Sequence, residues 1–149
     1  MKKHKLKTPT IRHIGLVVKN IDKSKFFWCH FFKFKIIKKM KENGKELDDI
    51  LKIKNVEVNT YKLKDKNNNI LELLDFKKKK RIKKLNTNDY GFSHIALNVK
   101  KLDSKYVQMK NMGVKFNSKP IVSKDSKVKM TYCMTPEGAY LELVESLKL

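Results

Sequence analysis

An α+β fold built from two copies of one β-α-β-β-β unit is predicted by three features of the sequence. Arg12-His13-Ile14-Gly15-Leu16-Val17-Val18-Lys19-Asn20-Ile21-Asp22 is answered by Ser93-His94-Ile95-Ala96-Leu97-Asn98-Val99-Lys100-Lys101-Leu102-Asp103. Each copy opens on a histidine, runs through an alternating apolar stretch and reaches an aspartate ahead of a helical pattern. Each half then closes on a strand with one glutamate between leucines, Leu71-Glu72-Leu73 and Leu141-Glu142-Leu143. A long internal repeat of this kind points to one supersecondary unit duplicated and packed against itself.

The elements follow in order. Ile11 to Val18 alternates as a strand, with Ile14, Leu16 and Val18 on one face and His13, Gly15 and Val17 on the other. Asp22 is the expected N-cap of a helix whose apolar face is Phe26, Phe27, Trp28, Phe31 and Phe32. Lys33 to Met40 is a second strand, Asn43-Gly44 a turn, and Glu46 to Lys52 a short helix set by Leu47, Ile50 and Leu51. Val56 to Lys64 and Ile70 to Phe76 form a hairpin around the turn chemistry of Asp65 to Asn69. Module 1 thus covers about 10–76, and a lysine-rich linker, 77–90, leads to module 2, about 91–146, within a single domain spanning 1–149. There Gly91 to Val99 is a strand, and Asp103 caps a helix that ends at Gly113. Val114 to Asn117 is a short extended piece. Val128 to Met134 and Ala139 to Glu145 are strands joined by the Pro136-Glu137-Gly138 turn.

The 149 residues suffice for one compact core, with an ordinary 40% hydrophobic content. No run of about 18 apolar residues is present, so no membrane span is expected. The basic start lacks the apolar stretch of a signal peptide, and Cys29 and Cys133 have no paired metal-binding spacing. Both are read as buried thiols of a cytoplasmic protein. The net charge of +21 does not imply a nucleic-acid partner. Of 36 basic residues only Arg12 and Arg81 are arginine, the residue that recognises bases and phosphates bidentately. The run Lys77 to Lys84 reads as a solvated linker.

His13, Glu72, His94 and Glu142 take matching places, on the first and last strand of each half. Packing about a pseudo-two-fold would make these side chains converge. Two imidazoles and two carboxylates suit one divalent ion, Zn, Ni, Co, Mn or Fe, and the carboxylates balance its charge. Gly15 and Ala96, on the same faces as the histidines, leave room for a ligand. The faces also carry Ile11, Val17, Ile70, Leu74 and Val144, poor choices for a wet surface on which an isolated carboxylate would be incidental. His4 and His30 carry no such pattern.

Three stretches carry a resemblance to a known family: Arg12 to Val18, Tyr90-Gly91-Phe92-Ser93-His94-Ile95-Ala96, and Thr135-Pro136-Glu137-Gly138 to Glu145. With them the chain resembles the vicinal oxygen chelate superfamily of glyoxalases, bleomycin-resistance proteins and extradiol dioxygenases. The resemblance runs from about Thr10 to Glu145. It implies paired βαβββ modules, each curled into a half-open barrel around a metal, with His13, Glu72, His94 and Glu142 as the ligand set of glyoxalase I-like members. The family pairs modules within or between chains, and a homodimer is expected here.

The implied activity is that of a metal-dependent lyase or isomerase. It acts by proton transfer on a small-molecule substrate chelated through adjacent oxygens, with Glu142 or Glu72 as the base. A hemithioacetal of methylglyoxal and glutathione is the implied substrate of the lactoylglutathione lyase type. Glutathione-using members resemble one another in carrying an arginine where this chain has Val17, which cannot pair with a carboxylate. His-Ile-Gly also looks like methylmalonyl-CoA epimerases, whose proton-transfer glutamate corresponds to Glu57, although the Thr135 to Gly138 turn is shorter than theirs. A bleomycin-resistance-type binding protein without catalysis is the other alternative, and the full ligand set weighs against it. Glu72 as a fourth ligand weighs against a dioxygenase triad.

Overall fold

A computed structural model describes residues 9–80 and 86–147. The first half contains β1 (Ile14–Val17), helix α1 (Ile21–Phe26) continuing into a π-helical turn (Phe27–Phe31), β2 (Lys35–Asn43), α2 (Lys45–Leu51), β3 (Glu57–Lys64) and β4 (Ile70–Phe76). The second contains β5 (His94–Asn98), α3 (Leu102–Asn111), β6 (Ile121–Val122), β7 (Val128–Met134) and β8 (Tyr140–Ser146). Four strands form each sheet, in the orders β1-β4-β3-β2 and β5-β8-β7-β6. In both, the first strand runs parallel to the last and the remaining pairs are antiparallel. Neither sheet closes on itself, which is the expected pair of half-open barrels.

The internal repeat is therefore structural as well as textual. Gly15 pairs with Glu72 in the first sheet, and Ala96 pairs with Glu142 in the second. Strand parity sends Leu71, Leu73, Leu141 and Leu143 to the core, where Leu73, Leu141 and Leu143 have no exposed surface. The glutamates between them face the other way. One apolar cluster contains residues of both halves, including Trp28, Phe31, Leu63 and Leu73 from the first and Leu102, Met109 and Cys133 from the second. The π-helical turn belongs to this core. Its wider i→i+5 winding buries three bulky neighbours, Phe27, Trp28 and Phe31, with Phe32 packed at the edge. Polar contacts reinforce the junction: Lys105 of α3 donates to the Phe31 carbonyl at 2.7 Å, and the Ser24 hydroxyl meets the buried Glu137 carboxylate.

Several local expectations are corrected. β1 begins at Ile14 instead of Ile11, because its parallel partner offers Leu71 to Leu74 and Ile11 stands 87% exposed. The cap of α1 is Asn20, whose side chain accepts from the Lys23 amide, whereas Asp22 lies in the first turn and pairs with Lys25. Asp103 does not cap α3 either. The Glu145 carboxylate on β8 accepts from the Lys101 and Leu102 amides, at 2.6 and 3.1 Å. Gly113 does end that helix, at φ +87°, where an L side chain is strained. The Val114 to Asn117 segment contributes only an isolated bridge from Phe116 to Cys133. β2 extends to Asn43, and α2 spans Lys45–Leu51 in place of Glu46 to Lys52. Part of the predicted 77–90 linker, residues 81–85, lies outside the described residues.

Candidate metal centre

The sheets assemble two matching half-sites. His13, one residue ahead of β1, places Nε2 3.3 Å from Oε2 of Glu72 on the neighbouring strand β4. His94, the first residue of β5, places Nε2 3.2 Å from Oε2 of Glu142 on β8. The carboxylates are the sheltered members, with side chains 11% and 16% exposed, while the imidazoles are about one-third exposed. Each half-site thus has a nitrogen donor and an oxygen donor directed at one another, with an open side toward solvent.

Parallel pairing explains the geometry. Each histidine stands two residues ahead of the strand position paired with the glutamate, Gly15 opposite Glu72 and Ala96 opposite Glu142, so both reach the glutamates by the same construction. Gly15 serves packing in this arrangement: a Cβ there would come within 3.4 Å of the Leu74 methyl. On the second half, Ser93 Oγ lies 3.1 Å from His94 Nδ1 and donates to the Thr87 carbonyl at 3.0 Å. Engaging Nδ1 leaves Nε2 as the nitrogen turned toward Glu142, the orienting contact that a ligating imidazole needs.

Two residues of the half-sites carry no sequence signal of their own. Lys62 on β3 pairs in register with Glu72, and Tyr132 on β7 pairs in register with Glu142. Lys62 Nζ sits 2.9 Å from Glu72 Oε1, the oxygen not facing His13. Tyr132 OH lies 3.3 Å from His94 Nε2, and the rings meet edge-on at 5.1 Å between centroids. Burial, and then the Glu142 carboxylate, push the Tyr132 phenol above its ordinary value, so it keeps its proton. The signal that could have found both was their equal spacing ahead of the two glutamates across predicted hairpins.

The structure brings His13 to Glu72 and His94 to Glu142, but it does not bring the two pairs together. Among the described residues, no three His, Cys, Asp or Glu side chains are grouped closely enough to hold a metal ion. Glu57 is remote from either pair. It lies at the opposite end of β3, in an ion pair with Lys77 at 2.8 Å. Val17 is on the half-site face and 51% exposed.

A divalent ion fits the donor chemistry of these half-sites. Imidazole nitrogen and carboxylate oxygen already face each other across a short gap in each pair, and two pairs would supply four donors. Lys62 leaves Glu72 Oε2 free for that purpose, since it takes only Oε1.

Comparison with known proteins identifies the fold. No curated protein matches the chain significantly. A glyoxalase family protein from Bacillus cereus superposes with a TM-score of 0.84 at 15% identity, covering 97% of this chain and 99% of that one. A glyoxalase family protein from Enterococcus faecalis gives a TM-score of 0.67 at 20% identity, with 91% and 97% covered. The fosfomycin resistance protein FosX from Listeria monocytogenes, solved with Mn(II) and sulfate ion, gives 0.61 at 14% identity, with 95% of each chain covered. Among the described residues of the present chain, no helix is long and apolar enough to cross a membrane. The model of the Glyoxalase/Bleomycin resistance protein/Dioxygenase superfamily matches residues 10–143, and with the duplicated β-sheet half-sites this shows that the chain belongs to that superfamily.

Proposed function

We propose that this chain is a metal-dependent lyase or isomerase of the glyoxalase I type, acting by proton transfer on a substrate chelated through adjacent oxygens. The observation that carries the reading is the repeated histidine–glutamate pair, at 3.3 and 3.2 Å, on equivalent strands of two half-open sheets. A divalent ion bound there would supply Lewis-acid stabilisation of the negative charge that develops on an enediolate or enolate. His13, Glu72, His94 and Glu142 would hold it.

The four donors come together between two copies of the chain in this reading, the first half of one facing the second half of the other. Supporting it, the half-site face of β1 presents Val17, 51% exposed, and β2 at the opposite edge of the same sheet presents Ile36 and Ile37, 46% and 49% exposed. Such apolar surface is stabilised when a second copy covers it.

The residues divide the proton work unequally. Lys62 engages Glu72 Oε1 in an ion pair, whereas no described lysine or arginine lies within ion-pair distance of Glu142. Glu142 therefore removes the substrate's carbon-bound proton and returns it to the adjacent position. Tyr132, protonated and beside His94, donates a hydrogen bond to substrate oxygen. Because Val17 supplies no cation for a glutathione carboxylate, hemithioacetals and acyl thioesters are both assayed as substrates.

Elemental analysis of tag-free protein purified without added metal tests the reading. About one divalent ion per chain is expected in the wild type, and it is lost in the double variant His13→Ala with Glu142→Ala. Absence of metal, with no rise in Tm on adding nickel, zinc or manganese, overturns it in favour of a binding protein.

A further inference from the structure

The two half-sites are built alike except at one register position, where the first has Lys62 and the second has Tyr132. That difference is one of charge. The first half-site sets one ammonium, 2.9 Å from Glu72 Oε1, against its single carboxylate, whereas the second has the Glu142 carboxylate with only His94 beside it and no lysine or arginine among the described residues within ion-pair distance. The neighbours do not restore the balance. Lys38, opposite Lys62 in register, adds a further cation in solvent, and Glu42 on the same face is engaged by the Thr60 hydroxyl. A divalent ion held by both pairs would sit in a site with one unbalanced positive charge.

We infer that Lys62 makes this a site for an anionic chelator, a substrate whose oxygen-bearing end carries a carboxylate, in preference to a neutral one. The inference rests on the proposed metal site and names its substrate class. Lys62 is only 22% exposed at its side chain, so its charge is poorly screened and is felt by anything bound beside Glu72. It opposes the metal and favours the anion. Those two effects have opposite signs in one variant, which a merely structural lysine would not produce.

The test uses the full chain, Mn(II) and two isosteric chelators, lactate (anionic) and lactamide (neutral), with free Mn(II) read by electron paramagnetic resonance. Lys62→Gln is expected to bind Mn(II) about tenfold more tightly than wild type, and to lower the lactate-over-lactamide affinity ratio about tenfold. Lys62→Arg keeps the charge and is expected to behave as wild type in both measurements. Unchanged or weaker Mn(II) binding by Lys62→Gln, or a lactate-over-lactamide ratio equal to that of wild type, overturns the inference while leaving the metal site standing. A wild-type chain that binds no Mn(II) removes the metal reading and this inference with it.

Discussion

Removing Glu145 should loosen α3 from β8, although sequence pattern assigns its cap to Asp103. The Glu145 carboxylate spans two N-terminal amides of the helix, Lys101 at 2.6 Å and Leu102 at 3.1 Å. Replacing a capping side chain by alanine costs about 0.5–2 kcal/mol, and a negative charge at a helix N-terminus adds about 0.3–1 kcal/mol. Leu102 has no exposed surface, so its amide has poor access to replacement water. Glu145→Ala should therefore destabilise by about 2 kcal/mol, a Tm fall of roughly 6 °C for a domain of this size. Asp103 is two-thirds exposed and pairs with Lys129 at the surface, where an ion pair contributes little. Urea unfolding of both variants measures the contrast through the midpoint at constant m. Equal losses for Asp103→Ala and Glu145→Ala, or a Glu145→Ala loss under about 0.5 kcal/mol, would refute the cap.

Lys101 precedes the same helix at φ +54°, a left-handed conformation that costs a side chain about 1 kcal/mol. Lys101→Gly should raise stability by about 0.5 kcal/mol, visible as a higher urea midpoint. The buried Cys133 thiol is pushed up by burial from 9.0 to about 12. Between those values the unfolded chain has released a proton that the folded chain keeps, so stability falls as pH rises above 9.0, by about 1.4 kcal/mol at pH 10. Denaturation from pH 8 to pH 10 should show a shallower decline in Cys133→Ala than in wild type.

Much of the fold was legible because its signals are local. β4 and β7 lie where alternation put them, and Glu72 on β4 and Glu142 on β8 turn away from the leucines that flank them. The Asp65 to Asn69 turn is held by Asp65 Oδ1 accepting from the Asn67 and Asn69 amides, as its composition indicated. What escaped depends on partners distant in the chain. Glu145 reaches a helix that starts more than forty residues earlier, and an aspartate at the helix start was the nearer choice. The edge strand β6 exists only through pairing with β7. Lys62 and Tyr132 become site residues through hairpin register, which residue type alone does not reveal. Strand parity placed each histidine beside its glutamate, whereas the separation of the two pairs belongs to the packing of one half against the other.

Complementation between two damaged chains tests the central claim most directly. One chain carries His13→Ala with Glu72→Ala, the other His94→Ala with Glu142→Ala, and each alone should bind no metal. Co-expressed, they should recover about a quarter of the wild-type metal content, because half of randomly formed dimers are mixed and each mixed dimer rebuilds one of its two sites. Recovery at that level is the predicted result. A wild type that binds metal, beside a mixture that recovers none, would contradict a site shared between two chains.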